Sequence, residues 1–337
     1  MTNSFDCMEK PPSVLYKFSS FKGAKAILEG ECLWTKSPLD FNDPFEVLPA
    51  FDEERKNEAI SSWKSFCHQC GLPPQAGDLI RGGGEESTTV ESWVDLAPKF
   101  TDPFFAKIYH RFRVLCFSKA KDPILMWSHY ADSHKGIALG FDLSAGDFPR
   151  GRFAAGIPVA YIADRNQLKI PLEYYRHPGL DRVDPSPALG GYVKTSSGIL
   201  IPKTDEEARH LDCLQTLLRH KYEAWCYEKE QRFLYDLTSP SMDGLRDSGP
   251  DTAGVKHQMA PFCPEAVSEI IFGYKCSLAD ITSILTLIQR LPKVRLSYVD
   301  LHPMEFKVRV FEAEINEIRA AHRVREQSSF RFRGRTG

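Results

Sequence analysis

The chain has 337 residues and a formal net charge of -2, with 42% hydrophobic and 26% charged residues. These proportions are ordinary for a globular protein, and the near-neutral charge gives no support to a nucleic-acid or membrane surface. The first residues lack the apolar segment of a signal peptide, and no apolar run is long enough to cross a membrane.

Strands and helices are predicted in irregular order through the first half of the chain. β-Branched and aromatic runs predict strands, and the pair Ser19-Ser20 offers a cap for the first helix, which Gly30 would end. In chain order we expect a strand at 14–18, a helix at 21–28, a strand at 32–37, a turn-rich segment at 37–46, a helix at 53–70, an exposed loop at 71–92, a strand at 111–118, a helical turn or two at 124–131, and strands at 136–143 and 157–164.

The second half predicts one long helix followed by more strands. Thr204 and Glu207 form a capping box, and leucines continue at helical spacing toward Trp225. In chain order we expect a helix from 204, a strand at 230–237, a loop at 238–256, a strand at 268–274, a helix at 277–290, and strands at 294–301 and 306–313. This order predicts an α+β fold with mixed, mostly antiparallel short-stranded sheets and flanking helices, not a doubly wound parallel sheet.

One domain accounts for most of the chain, because no repeat and no long linker divides it. We expect an N-terminal arm at 1–13, a single α+β domain at 14–315 with loop insertions near 71–92 and 238–256, and a basic C-terminal tail at 316–337 that is mobile from Arg323 onward. Nine scattered cysteines indicate reduced, core-filling thiols and a cytoplasmic protein. Cys67 and Cys70 form a lone CxxC without a second pair, which coincidence explains better than a metal.

The segment KYEAWCYEKEQR concentrates charged and aromatic side chains beside a predicted strand. Lys221 and Trp225 would share a helical face, and Glu228, Glu230 and Arg232 would alternate onto one face of a strand. Two carboxylates beside an arginine can keep one acid ionised and raise the proton affinity of the other. The alternative is a helix end joined to an edge strand with solvated charges.

A second concentration of aromatic and titratable residues lies in ILMWSHYADSHKG. Trp127, His129, Tyr130 and His134 could stack on a planar ligand or hydrogen-bond to it, and Tyr130 and His134 could share a helical face. The alternative is that Trp127 and Tyr130 pack in the core while the imidazoles lie at the surface.

A third polar stretch surrounds a proline turn in DFNDPFE. Its acids and amide are Asp40, Asn42, Asp43 and Glu46. Together with Glu228, Glu230 and Lys221, these carboxylates could hold Mg²⁺ and a phosphate, as a metal-dependent nuclease requires. Asx-turns and capping explain the Asp and Asn residues at least as well.

Taken in order, the motifs SPLDFNDPFE, LCFS, MWSHYAD, HKGIALGFD, YEKEQRF and EIIFG resemble a large bacterial domain family of unknown function, over residues 14 to 275. The order of elements is also similar to that of the ADP-ribosyltransferase superfamily, whose members cleave NAD. That resemblance implies a first strand that holds NAD, a middle strand that ends in a serine or an aromatic stacking on nicotinamide, and a late strand that carries a glutamate, often in an E-x-E pair.

The resemblance implies specific roles for eight residues. It implies Glu230, Glu228 and Tyr130 as catalytic residues, and Tyr16, Lys17, Ser118, Trp127 and His129 as residues that bind NAD. Position 17 is Lys where the superfamily has Arg or His. A carboxylate bonded to the ribose 2-hydroxyl would stabilise the oxocarbenium-like state that forms when the nicotinamide–ribose bond breaks.

The implied function is an NAD-consuming ADP-ribosyltransferase or NAD glycohydrolase, for example a toxin or an anti-phage effector. NAD would be a substrate, no metal would be needed, the acceptor would be protein, nucleic acid or water, and an antitoxin protein could be a partner. The alternatives are the metal-dependent nuclease and a non-catalytic sensor that binds a nucleotide in the same pocket.

Overall fold

An eight-stranded sheet organises the chain and brings together strands that are distant in the sequence. The structure is a computed structural model that describes residues 13–47, 112–145, 156–164, 168, 192–194, 200–202, 216–237, 245–250, 256–291 and 294–333. The strands are β1 (Val14–Ser19), β2 (Cys32–Trp34), β3 (Phe112–Ser118), β4 (Ile137–Asp142), β5 (Ile157–Pro158), β6 (Ala160–Ile162), β7 (Tyr192–Lys194), β8 (Leu200–Pro202), β9 (His220–Tyr222), β10 (Glu230–Asp236), β11 (Arg246–Pro250), β12 (Lys256–Pro261), β13 (Val267–Phe272), β14 (Arg295–Leu301) and β15 (Val308–Glu312).

Helices of two kinds connect these strands. The α-helices of the described ranges are α1 (Phe21–Gly30), α2 (Ile124–Tyr130), α3 (Leu278–Leu287) and α4 (Ile315–Arg333), and the 3-10 helices are Pro38–Asp40, Glu223–Glu228, Pro264–Ala266 and Ile288–Arg290. None of the helices in the described part of the chain has the length and apolar character needed to cross a membrane.

The strand order of the large sheet is β15-β14-β13-β4-β1-β3-β10-β5, and β11-β12-β2, β6-β9 and β7-β8 form smaller sheets. Two pairs run parallel, β13 with β14 and β6 with β9, while the other pairings of described strands are antiparallel. The described residues therefore form an α+β fold with mixed, mostly antiparallel sheets, as the sequence predicts.

The alternation of side chains along β1 separates two parts of the core. Leu15 packs in the cluster that contains α1 and α3, whereas Tyr16 and Phe18 pack in the cluster that contains Trp127 of α2. The face that carries Tyr16 is therefore the one covered by α2, and polar groups collect on it.

β3 changes partners along its length. β1 meets β3 where Tyr16 lies opposite Ser118. Farther along, Val114 exchanges two backbone hydrogen bonds with Lys36, which follows β2, at 2.8 and 2.9 Å. Because β1 and the β2 segment approach β3 at different points, a cleft opens beside β3.

Most of the predicted elements are confirmed to within one or two residues. Ser20 caps α1 by accepting a hydrogen bond from Gly23 N at 3.2 Å. The predicted loop at 238–256 is corrected, because it contains β11 and the first residue of β12. The predictions for 53–70, for 71–92 and for Cys67 and Cys70 lie outside the described residues, and so does most of the helix predicted from 204. The described cysteines, Cys32, Cys116, Cys226, Cys263 and Cys276, are unpaired.

The C-terminal segment differs from the expected tail. Residues 315–333 form α4, in which Ile318 and His322 are buried. Arg325 Nη2 lies 3.1 Å from Asp300 Oδ1, so this helix packs against β14. The sequence hides this packing because one isoleucine and one histidine carry the buried face of an otherwise polar helix.

Candidate functional site

Three of the predicted site residues lie in one row across neighbouring strands. Tyr16 of β1 is opposite Ser118 of β3, and Ser118 is opposite Glu230 of β10. Directly opposed residues of antiparallel strands project to the same face. The fold thus places these residues side by side although 214 positions separate the first and the last in the sequence.

Glu228 also lines the cleft, but it belongs to a different element from the predicted strand. It ends the 3-10 helix Glu223–Glu228, and Lys229 then adopts a left-handed conformation with φ 44° before β10 begins at Glu230. Ser118 Oγ donates to the backbone oxygen of Glu228 at 2.7 Å, which fixes this turn to the end of β3. The expectation that Glu228 and Glu230 alternate within one strand is therefore corrected, but both carboxylates line the cleft.

A buried network of ion pairs joins these carboxylates to two cations. Lys221 Nζ lies 2.6 Å from Glu228, 3.3 Å from Glu230 and 3.6 Å from Glu46. Arg232 donates to both oxygens of Glu230 at 2.9 Å and also binds Glu46. Each of the five side chains belongs to a residue that is at most 5% exposed. Three carboxylates facing two cations leave one excess negative charge, so the network favours the uptake of one proton.

The surroundings separate the proton affinities of the three acids. Burial would raise the pKa of Glu230, but the Arg232 guanidinium and the Lys221 ammonium outweigh it and hold that pKa well below its usual range. Burial raises the pKa of Glu228 despite Lys221, and the charge of Glu230 adds to the effect. Burial also raises the pKa of Glu46. Glu230 is consequently the ionised acid, and Glu228 and Glu46 compete for the proton.

Tyr130 connects Glu228 to the loop after β2. Its hydroxyl donates to Glu228 Oε1 at 2.5 Å and accepts from Asn42 Nδ2 at 2.9 Å. Burial and the charge of Glu228 raise the pKa of Tyr130, so the phenol is neutral. Tyr130 ends α2, and the expected helical face shared with His134 does not form because residues 132–134 have left-handed backbones.

Lys17 and Lys36 also line the cleft. Lys17 Nζ donates to the carbonyl oxygen of Cys116 at 2.9 Å, and burial together with the nearby charge of Lys36 lowers the pKa of Lys17. Trp34 and Phe41 are further residues of the cleft lining. Its cavity volume of about 90 Å³ has room for a few water-sized groups. A larger ligand would enter with one end and extend over the surface.

Two residues predicted to bind NAD lie elsewhere. Trp127 is fully buried, packs edge to face with Phe18 at 5.0 Å, and donates to the backbone oxygen of Lys121 at 2.9 Å. It is a core residue, as the alternative interpretation states. His129 is exposed and its Nδ1 lies 3.0 Å from Tyr227 Oη, outside the cleft lining. The other six, Tyr16, Lys17, Ser118, Tyr130, Glu228 and Glu230, line the cleft.

Of the acids proposed for a metal site, Glu46, Glu228 and Glu230 come together around Lys221 and Arg232, whereas Asp40 and Asp43 do not line the cleft. Asp43 is buried and its Oδ1 accepts from Phe45 N at 2.9 Å, which is the Asx-turn alternative. Asp40 ends a 3-10 helix and does not line the cleft. In the described ranges, no group of three or more His, Cys, Asp or Glu side chains is placed to hold a metal ion. Lys221 and Arg232 occupy the space between Glu46, Glu228 and Glu230 where a cation would bind.

Some residues at the site are not predicted from the sequence. Tyr161 Oη accepts from the backbone N of Glu230 at 2.8 Å, and Tyr161 lies opposite Lys221 in the parallel pairing of β6 and β9. Lys221 is on a strand rather than on the expected helix, yet its Nζ still lies 5.0 Å from the Trp225 ring centroid. The alternation of Trp34 and Lys36 about Thr35 could have revealed these two residues of the cleft lining.

Residues 126–233 match the model of a domain family described as a protein of unknown function, DUF2971. This match confirms the resemblance to a domain family of unknown function and contains Tyr130, Glu228 and Glu230. No curated protein and no solved structure matches the chain.

Proposed function

We propose that the chain is an NAD-consuming enzyme, an ADP-ribosyltransferase or an NAD glycohydrolase. The observation that carries the proposal is the row formed by Tyr16, Ser118 and Glu230 on β1, β3 and β10. The ADP-ribosyltransferase resemblance implies an NAD-holding residue, a serine and a glutamate on a first, a middle and a late strand. The three residues that match those roles are adjacent at one cleft.

Glu230 has the properties needed at the reacting carbon. Its low pKa keeps it ionised, and Arg232 and the Tyr161 hydrogen bond fix it at the start of a strand. When the bond between ribose C1′ and nicotinamide nitrogen breaks, the electron pair leaves with nicotinamide and positive charge develops on the sugar. A fixed carboxylate that accepts a hydrogen bond from the 2′-hydroxyl stabilises that charge.

Glu228 is suited to the second half of the reaction. An acceptor hydroxyl, amine or water forms the new bond to C1′ and must lose a proton. The raised pKa of Glu228 makes it the stronger base of the two acids, and Lys221 and Tyr130 hold its carboxyl group in position. When Glu46 carries the proton of the network, Glu228 is ionised and would take the acceptor's proton while Glu230 stays ionised.

The direct test is release of nicotinamide from NAD by the purified protein in the presence of EDTA. We expect Glu230→Gln to lower kcat by roughly 10²–10³, the usual loss when one preorganised electrostatic contact is removed. KM should change little, because the contact strengthens in the transition state. Glu312→Gln, on the exposed edge of β15, makes the same chemical change away from the cleft and should keep wild-type turnover.

Because Glu230 is buried among charges, thermal melts must show that each variant is folded. Glu228→Gln provides a second variant, and it should slow transfer to an acceptor more than cleavage of NAD. Full turnover in folded Glu230→Gln would contradict the role of this residue. A wild-type protein that releases no nicotinamide with protein, nucleic acid or water as acceptor would contradict the proposed function.

A further inference from the structure

Lys17 and Lys36 are the cations of the cleft that have no carboxylate within ion-pair distance in the described part of the chain. Lys17 is half-buried, and its Nζ donates to the carbonyl oxygen of Cys116. The Lys36 side chain is exposed at the cleft, and its charge acts on Lys17. Two neighbouring ammonium groups that form no ion pair with a described carboxylate favour an anionic ligand.

The segment after β2 presents an aromatic ring beside these ammonium groups. Trp34, Thr35 and Lys36 are extended, so the first and third share a face while Thr35 points the other way. Thr35 is buried and its hydroxyl donates to the backbone oxygen of Gln258 at 2.8 Å. Trp34 is 52% exposed and lines the cleft with Lys36.

The spacing of the ring and the ammonium groups suits one kind of ligand. Alternate residues of a strand lie about 7 Å apart, a separation similar to that between the base and the phosphate of a nucleotide. Indole rings stack on bases, and lysine ammonium groups bind phosphate as point charges.

We propose that Trp34, Lys36 and Lys17 bind the base and phosphate of a nucleotide, with the base stacked on Trp34 and the phosphate held by the two lysines. The inference rests on the proposed function in one respect, namely that the remainder of the ligand is the nicotinamide ribose of NAD. It orients NAD with its adenosine diphosphate on the β2 side and its nicotinamide ribose at Glu230. The charges agree, since the carboxylates would face the cationic nicotinamide and Lys17 and Lys36 would face the pyrophosphate.

Binding of ADP-ribose and of inorganic pyrophosphate, measured by calorimetry on the full chain, tests the site separately from catalysis. Lys36→Met should weaken both probes by roughly tenfold or more, the loss expected for one hydrogen bond to a charged group. Trp34→Ala should weaken ADP-ribose by roughly fivefold or more and leave pyrophosphate unchanged, because only ADP-ribose carries a base. Lys25→Met on exposed α1 and Phe306→Ala at an exposed turn are matched controls and should bind like wild type.

The outcomes separate this inference from the proposed function. Wild-type protein that binds ADP-ribose with the expected variant pattern, but releases no nicotinamide from NAD, supports the nucleotide site and contradicts the enzyme. NAD turnover whose KM is unchanged in both folded Lys36→Met and folded Trp34→Ala supports the enzyme and overturns the site. Failure of the wild type to bind ADP-ribose and pyrophosphate at millimolar concentration also overturns it.

Discussion

Glu228 and Glu230 are separated by one residue, yet their surroundings move their pKa values in opposite directions. Arg232 contacts both oxygens of Glu230, whereas the partners of Glu228 are one ammonium and one neutral phenol. Two acids with separated pKa values can divide the roles of charge stabilisation and proton transfer. This division depends on which neighbours each carboxylate meets in the fold.

The raised pKa of Glu228 gives a prediction for stability against pH. A raised pKa in the folded state means that the folded protein binds the proton more tightly than the unfolded chain. The contribution of Glu228 to stability is therefore present below the unfolded pKa and is lost as pH rises through the folded value. Glu228→Gln resembles the protonated form and cannot ionise. Its stability relative to wild type should increase from pH 5 to pH 8, by at most about 1.4 kcal/mol per pH unit.

Urea unfolding of both proteins across that pH range measures the difference. The control is Glu312→Gln, which makes the same chemical change on exposed β15, outside the buried network. A Glu228→Gln protein that becomes less stable relative to wild type with rising pH would show that Glu228 is ionised and paired with Lys221 at rest. Glu228 and Glu230 would then both be ionised in the folded protein.

The sequence identifies some of the residues that line the cleft and assigns others to the wrong role. Glu230 was identifiable because it begins an apolar strand, and that position is local information. The sequence does not distinguish a core Trp127 from one that contacts a ligand, because the burial of Trp127 depends on its packing against Phe18 of a distant strand. By residue type Glu46 fits a metal ligand, but its contacts with Lys221 and Arg232 depend on how the loop after β2 folds back on β10.

At the scale of elements, strands with strong local alternation were predictable and their partners were not. β1, β3, β4 and β10 each carry β-branched or aromatic runs, and each forms close to its predicted bounds. Their order β4-β1-β3-β10 comes from packing between segments far apart in the chain, which no local pattern encodes. β11 lies in a segment rich in Ser, Pro, Asp and Gly, where pairing with β12 overrides the composition.

Helix α4 gives a prediction by truncation. Ending the chain after Glu314 removes Ile318, which is fully buried in the same cluster as α1 and α3. We expect unfolding free energy to fall by at least about 2 kcal/mol, the lower end for losing a large buried aliphatic side chain. Ending it after Glu326 keeps Ile318, His322 and the bond from Leu278 N to Glu326, so the melting temperature should stay within about two degrees of wild type.

Thermal melts of the two truncated chains and the full chain make this comparison. Equal stability of all three would show that the contacts of α4 contribute nothing to folding. A lower melting temperature in the chain that ends after Glu326 would place the stabilising contacts beyond that residue.

At the scale of the whole molecule, the family match and the folding unit have different extents. The matched residues, 126–233, contain β4 and the first part of β10, and these two strands are separated in the sheet by β1 and β3. β1 and β3 both lie before residue 126. Most of the residues that line the cleft therefore lie outside the match, including Tyr16, Glu46 and Ser118.

We predict that a fragment of residues 126–233 does not fold on its own, whereas residues 13–333 do. In the fragment, β4 and β10 lose the strands between them, which leaves their backbone groups and their apolar faces in water. Lys221 and Arg232 would also lose Glu46. The measurement is a circular-dichroism melt of both pieces, in which the longer one should show a cooperative transition and the fragment none. A cooperative transition in the fragment would mean that the match is itself a domain. The row from Tyr16 to Glu230 would then join two folding units.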